Sequence, residues 1–252
     1  MEQRKAEATG RGLNFRQAGV LADRYLETIL ADWVGTGLLL VQAPILALLA
    51  VLVWGNVEQA TKTLYFVVVL SGLWIGCMDA CREIVKERAL FLRERMVNLE
   101  VGAYLLSKFR VLVLLNVVQA AAYVGILEYA LDTRVGLVPM FLTMFLTTVA
   151  GTALGLLISS MVRRSDWAVG LVPLVIIPQI LFSELAIRKE DFTGLSEVIF
   201  WLMPSRWGYD ALVAFAETEV NWGEALMDLA PLPVFTAVFL ALAWPLLRFK
   251  RY

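Results

Sequence analysis

The sequence contains no histidine and only two cysteines among its 252 residues, which excludes several kinds of chemistry. Without histidine, the chain has no imidazole for acid–base catalysis, nucleophilic catalysis or metal ligation. Cys77 and Cys81 lie one helical turn apart with no other Cys or His nearby, so a reduced, packed pair is expected rather than a metal site. The sequence has no Gly-Lys pair and therefore no P-loop, so these residues do not bind ATP through that motif.

Charge is also scarce, because 18% of the residues are charged whereas 60% are hydrophobic and the mean hydropathy is +0.71. A soluble domain cannot bury this much apolar surface, but a bilayer can cover it. We predict an all-α membrane protein with a cytosolic segment, 1–32, and one membrane domain, 33–252. Six stretches have the length and character of transmembrane helices, at about 33–54, 63–80, 104–128, 137–161, 166–183 and 230–248.

The basic residues are distributed unevenly around these six spans. Cytosolic loops carry the excess of Lys and Arg in membrane proteins, and a cytosolic N-terminus places 17 of the 22 basic residues on that side. The five left outside are Lys62, Arg134, Arg188, Lys189 and Arg206. Both termini are therefore predicted to be cytosolic, in the plasma (bacterial inner) membrane. Residues 1–15 lack an apolar core, so no cleaved signal peptide is expected.

The cores of the six predicted spans contain no Asp, Glu, Lys or Arg. These cores are residues 33–54, 63–78, 111–127, 135–162, 167–183 and 229–247. Ion-driven transporters place ionisable groups at such depths, despite insertion costs of about 2.5–3.5 kcal/mol each. An intramembrane enzyme such as a protease would need a histidine or a buried acid pair. We therefore expect no catalytic site in this chain, and we expect the energy for any transport to come from outside the spans.

Small and amide residues inside the predicted spans indicate how the helices pack. Gly72-x-x-x-Gly76 and Gly151-x-x-x-Gly155 are typical of close-packing faces, either within one chain or across a dimer. The amide side chains are expected to form hydrogen bonds between helices; they are Gln42, Asn116, Gln119 and Gln179.

Residues 14–33, before the first span, have helical periodicity. Ala18, Leu21, Tyr25 and Ile29 recur at steps of three and four, with charged residues mostly opposite. This predicts an amphipathic helix in the plane of the inner headgroups. Its simplest role is that of a membrane anchor.

Segment 81–98 carries eight charged residues of alternating sign around short apolar groups. Alternating charge often marks a solvated face. Phe91 and Leu92 lie between the charges, however, and this favours docking into a groove of a soluble partner, with the charges fixing the register. We predict that this segment receives the motion of a partner and passes it to the second and third spans.

Residues 195–216 predict a pair of short helices on the outer side. Leu195–Met203 is apolar but too short to cross a bilayer, Pro204 interrupts it, and Ser205 can cap a second amphipathic helix. The pair is either a re-entrant hairpin that dips into the outer leaflet or an ordinary outer helix pair.

The order of these elements resembles the permease domains of ABC type-2 exporters, particularly the ABC-G-like group, from Asn14 onward. The stretch KERALFLRERMVNLEVGAYLLSK resembles the coupling-helix region of that family, and FSELAI…WLMPSRWGYDAL resembles the end of the fifth span and the re-entrant turn. The resemblance implies a coupling set that contacts the ATPase: Arg82, Glu83, Glu87, Arg88, Phe91, Arg93 and Glu94. It also implies a substrate cavity at Trp74, Ile75, Ile177 and Ile180, below a gate at Leu185. Glu184 and Ala186 depart from the family pattern of that gate.

The leading hypothesis is therefore the permease subunit of an ATP-driven exporter of hydrophobic or amphipathic molecules such as lipids, glycolipids or drugs. By the resemblance, it works with a second permease copy as a homodimer and with two ATPase subunits, which bind the ATP and Mg²⁺. The other partners expected are membrane lipids, and no nucleic acid. The alternative is a membrane scaffold that recruits a cytosolic protein through segment 81–98 without transport.

Overall fold

The computed structural model describes residues 15–57, 61–217 and 219–249, and the regular elements within these ranges are all helices. Residues 1–14 of the predicted cytosolic segment lie outside them. The eleven α-helices described are α1 Phe15–Ala31, α2 Trp33–Trp54, α3 Lys62–Ala80, α4 Arg88–Arg95, α5 Val101–Ala130, α6 Leu137–Met161, α7 Ser165–Leu181, α8 Leu195–Trp201, α9 Pro204–Phe215, α10 Trp222–Leu229 and α11 Pro231–Phe249. A short 3-10 helix, Lys189–Asp191, lies between α7 and α8.

Five helical segments are long and apolar enough to cross a membrane: α2, α3, α5, α6 and the stretch Trp222–Phe249 formed by α10 and α11. This confirms a multi-pass, all-α membrane protein. The predicted fifth span corresponds to α7, a shorter apolar helix of 17 residues. At 1.5 Å per residue it is about 25 Å long, the lower limit for a transmembrane helix. The crossing of α7 stays a prediction.

The contact between α3 and α6 is the most extensive in the fold, and glycines make it close. A Cβ atom added at Gly76 would lie 1.9 Å from the carbonyl oxygen of Thr148, and one added at Gly151 would lie 2.4 Å from that of Leu73. Gly72 and Gly155 face the opposite helix in the same way. The predicted close-packing faces are thus confirmed, and they meet within this chain.

The amide residues of the spans form the predicted bonds between helices. Asn116 on α5 donates to Thr152 Oγ1 on α6 at 2.8 Å, and Gln179 on α7 accepts from the backbone N–H of Ser205 at 3.1 Å. Asp79 and Lys108 are nevertheless buried, although each belongs to a helix whose apolar stretch contains no charged residue. Asp79 lies in the last turn of α3 and Lys108 in the first turns of α5, because both helices extend past their apolar stretches.

The two short helices predicted around Pro204 are present as α8 and α9, on either side of Leu202 and Met203. The capping prediction for Ser205 was wrong: Met203 is the N-cap, without a side-chain cap, and Pro204 occupies the first turn. Proline is favoured there because the first turn leaves N–H groups unpaired in any case. Arg206 is buried against Trp201, 3.5 Å from the ring centroid, and lies 3.3 Å from Asp210. Whether the hairpin is re-entrant stays a prediction.

The glycines of the α3–α6 contact provide a test of the fold. Gly76→Ala is expected to lower the free energy of unfolding by about 1–3 kcal/mol, because the new methyl group overlaps the α6 backbone and forces the helices apart. Gly125→Ala is the control, since a Cβ atom at that helical position meets nothing within 4 Å. Thermal unfolding of the purified protein in detergent compares the two variants. Equal midpoints would contradict the packing described.

Candidate functional site

The connector, residues 81–100, joins α3 to α5 and contains α4. It begins with consecutive turns at residues 81–87 and reverses at Asn98, whose φ of 70° lies in the left-handed region that Asn tolerates. The backbone N–H groups of Ile84 and Val85 both donate to Ser159 Oγ on α6, at 3.0 and 3.1 Å. One hydroxyl group therefore fixes the start of the connector to the end of α6.

Glu83 is the most buried acid of the connector, with only 5% of its surface exposed. Its carboxylate accepts a hydrogen bond from the Tyr25 hydroxyl of α1 and lies 2.5 Å from Lys86 Nζ. Burial and the nearby Glu83 carboxylate raise the pKa of Tyr25 well above its usual value. The Tyr25 hydroxyl thus stays protonated, and α1 is hydrogen-bonded to the connector.

Lys108 on α5 is 2% exposed, and its Nζ lies 2.5 Å from the carboxylate of Glu87. The ammonium group also lies over the Tyr25 ring, 3.4 Å from its centroid. A buried ammonium requires a partner of opposite charge, and Glu87 provides one at the N-terminus of α4. The pair joins α4 to α5, and the Tyr25 ring adds α1 to the same contact.

Arg24 of α1 and Glu94 of α4 form a two-point ion pair, with nitrogen–oxygen distances of 2.5 and 3.2 Å. The hydrogen bond to Glu94 raises the pKa of Arg24, which is fully charged at neutral pH in any case. Phe91 is buried beside Tyr104 of α5, with ring centroids 4.8 Å apart. Arg95 donates to the carbonyl oxygen of Leu247 at the end of α11. One side of α4 is therefore bound to three other helices.

The opposite side of the connector is exposed. Met96 and Val97 are 80% and 81% exposed, and Arg93 lies one turn before them. Arg93 and Val97 border a groove of about 450 Å³ between the connector and α1, lined by Gln17, Val20, Leu21, Arg24, Arg93, Glu94, Val97 and Leu99. Exposed apolar side chains next to charge are typical of surfaces that bind another protein.

The structure divides the predicted coupling set into two groups. Glu83, Glu87, Phe91 and Glu94 face the protein and bind neighbouring helices, as described above. Arg82 and Arg93 are exposed, and Arg88 is half-buried. The role of these seven residues in coupling stays a prediction, but only the exposed ones are placed to meet a partner directly.

The predicted cavity and gate residues differ in their exposure in this single chain. On α3, Ile75 is fully buried in the core, whereas Trp74 is half-buried. Ile177 and Ile180 lie on an exposed face of α7, and Leu185, which follows α7, is 42% exposed. The described residues contain no group of three or more His, Cys, Asp or Glu side chains that could hold a metal ion.

Sequence reasoning missed the partners of the connector, which are Arg24, Tyr25, Lys108 and Ser159. One signal was present: Lys108 is a lysine at the start of a long apolar stretch, and a lysine in such a position is rarely buried without a partner. The periodicity of α1 predicts Tyr25 on its apolar face, and the burial of Tyr25 confirms that face. The periodicity does not predict the hydrogen bond from the Tyr25 hydroxyl to Glu83.

Comparison with known proteins identifies this arrangement. The model of the ABC-2 type transporter family matches residues 16–215, which include α1, the connector and the hairpin. The chain belongs to the ABC-2 type transporter family. It is 28% identical over 220 residues to the ABC transporter ATP-binding/permease protein Rv1747 of Mycobacterium tuberculosis. That alignment covers 79% of this chain and 25% of the relative, so the chain spans about a quarter of the relative's length. The resemblance to ABC permeases is thus confirmed, and the chain is an ABC transporter membrane component.

The buried pair of the connector generates a stability prediction. Lys108→Met leaves the half-buried Glu87 without its cation and is expected to lower the free energy of unfolding by about 3–5 kcal/mol. Adding Glu87→Gln to Lys108→Met removes the uncompensated charge and should restore much of this loss. Arg164→Met is the control, because both partners of the Arg164–Asp166 pair are exposed and such pairs contribute about 0–1 kcal/mol. The three variants are compared by their thermal unfolding midpoints in detergent. If Lys108→Met lowered the midpoint no more than Arg164→Met does, this account of the Glu87–Lys108 pair would be contradicted.

Proposed function

We propose that this ABC-2 membrane component is the permease subunit of an exporter that moves a hydrophobic or amphipathic substrate, such as a lipid, glycolipid or drug-like molecule, across the plasma membrane. ATP is hydrolysed by ATP-binding cassette subunits in other chains, two per complex, and a second copy of the permease completes a homodimer. Both termini face the cytosol, so the connector faces the ATPase. The observation that carries the proposal is the connector: one side is bound to the helices and the other is exposed.

The connector is built to pass a displacement to the helices. A push on the exposed side of α4 cannot move this helix alone, because Glu87 is paired with α5 and Glu94 with α1. The start of the connector is held by Ser159 of α6 and is continuous with α3. Closure of the ATPase subunits therefore moves the ends of α1, α3, α5 and α6 as one unit. Interfaces and packed cores have discrete arrangements rather than continuous deformations, so this movement switches the permease between states.

The cargo is inferred from the exposed face of α7. Its large side chains there are apolar, among them Leu174, Ile177 and Ile180. An apolar wall without charge favours hydrophobic or amphipathic molecules over ions. In the proposed dimer this face and Trp74 line the cavity, and Leu185 closes it on the outer side.

Charge reversal on the exposed side tests this function against a scaffold role. Arg93→Glu is expected to weaken ATPase docking by more than about tenfold, since like charges across an interface cost several kcal/mol. The measurements are Mg-ATP hydrolysis that co-purifies with the tagged full-length chain, and ATP-driven movement of a fluorescent phospholipid in proteoliposomes. Both should fall together, with an unchanged unfolding midpoint.

Arg188→Glu is the matched control, because Arg188 is also exposed but follows α7, at the hairpin end of the bundle. It should leave hydrolysis and lipid movement unchanged. A co-purifying partner without ATPase activity would support the scaffold instead. Full activity of the Arg93→Glu variant would overturn the assignment of the connector.

A further inference from the structure

A polar cluster lies between α2, α3, α5 and α6, and the coupling mechanism does not use it. Asp79 of α3 is 2% exposed, and its Oδ1 accepts a hydrogen bond from Gln42 Nε2 of α2 at 2.5 Å. Gln119 of α5 lies beside the Asp79 carboxyl and donates to the carbonyl oxygen of Leu39 at 2.9 Å. Asn116, one turn before Gln119, donates to α6. The cluster thus joins four helices.

Its amides lie deep in the membrane-spanning region. By the helical rise, about 13 Å of axis separates Gln42 from Trp33, the first residue of α2, and a similar length separates Gln119 from the exposed Arg110 of α5. Asp79 lies in the last turn of α3, and its buried carboxyl group reaches Gln42 from there. An ionised carboxylate without a cation is costly in such surroundings.

The cluster contains more buried hydrogen-bond acceptors than donors to pair with them. Three of its buried oxygens have no donor: Asp79 Oδ2, Gln119 Oε1 and Asn116 Oδ1. Each of these three atoms is an acceptor, so the cluster lacks a hydrogen-bond donor. Buried polar atoms are rarely left without a partner, and an orphan therefore calls for an explanation. One proton on the carboxyl group converts Asp79 Oδ2 from an orphan acceptor into a donor.

The charged groups around Asp79 also bear on whether its carboxyl group carries a proton. The nearest charged group is Glu83 of the connector, which is negative, and Cys77 and Cys81 are the neighbouring thiols. Towards the cluster, α2, α5 and α6 present amides and a hydroxyl, and α7 packs on α3 through apolar residues. The ion pairs of the described residues give Asp79 no cation. Burial, the largest of these effects, and the neighbouring negative charge favour the neutral acid, whereas the hydrogen bond donated by Gln42 favours the carboxylate.

We propose that Asp79 is a proton-binding site: in the membrane it is a neutral carboxylic acid that holds α3 against α2 and α5. This inference does not depend on the ATPase partner or on the cargo. A folded state that binds more protons than the unfolded state loses stability as the pH rises. The free energy of unfolding is therefore expected to be highest at acidic pH, to fall while only the unfolded chain has lost the proton, and to level off once the folded protein has lost it as well.

The experiment uses the full chain in lipid nanodiscs, compared with Asp79→Asn, which keeps the shape of the neutral acid and cannot lose a proton. Infrared difference spectra between the two should show the carbonyl absorption of one protonated carboxylic acid, present only in the wild type. Between about pH 5 and pH 8 the unfolding midpoint of the wild type should fall more steeply than that of Asp79→Asn, which keeps every other titrating group. Glu83→Gln is the control; it should keep the infrared band of Asp79.

A second variant keeps the test decisive if Asp79→Asn does not fold. Gln42→Leu removes a donor to the acid but leaves the proton, so the carbonyl band should move to higher frequency and persist. Carboxylate absorption in place of the acid band at about pH 5 would overturn the proposal. So would a midpoint that rises with Na⁺ or K⁺ in the wild type alone, because that result would identify a metal cation in place of the proton.

Discussion

The close contact between α3 and α6 is the constraint on which the rest of the structure depends. Because four glycines bring the two backbones together, the end of α3 has a fixed position relative to the end of α6. Ser159 lies one turn beyond Gly155 and accepts both N–H groups at the start of the connector. The helix pair therefore sets the place where the connector begins. A larger residue at the contact would move the connector as well as the helices.

Electrostatics then determines which side of the connector faces the protein. Three of its acids have partners on other segments or helices: Glu83 with Tyr25, Glu87 with Lys108 and Glu94 with Arg24. Buried ion pairs add little net stability compared with apolar packing, but breaking one is costly because an unpaired charge remains. The pairs thus act mainly to fix the connector in one arrangement. This property suits the coupling role that we propose for the connector.

The sequence predicted the elements of this fold better than their contacts. Hydropathy located the apolar helices, and periodicity located α1 with its buried face. The glycine pairs correctly indicated close packing. The alternating charges of the connector, however, do not define a face, because partners such as Lys108 are identified only once the chain has folded. Asp79 was passed over since it follows the apolar stretch of α3 directly, while Gln42 and Gln119, the amides that surround it, are distant in the chain.

The Asp79 cluster lies next to the connector, because Asp79 is in the last turn of α3 and the connector begins at residue 81. Asp79 and Glu83 are one helical turn apart, and the charge of Glu83 acts on Asp79. On α5, Lys108 and Gln119 are about three turns apart, which places them on the same side of that helix. A displacement of the connector that moves Glu83 changes the field at Asp79 and hence the cost of ionising it. With the proton bound, the two acids do not repel each other, and the last turn of α3 stays packed. Under the two proposals above, displacement of the connector and the proton affinity of Asp79 are linked, and each influences the other.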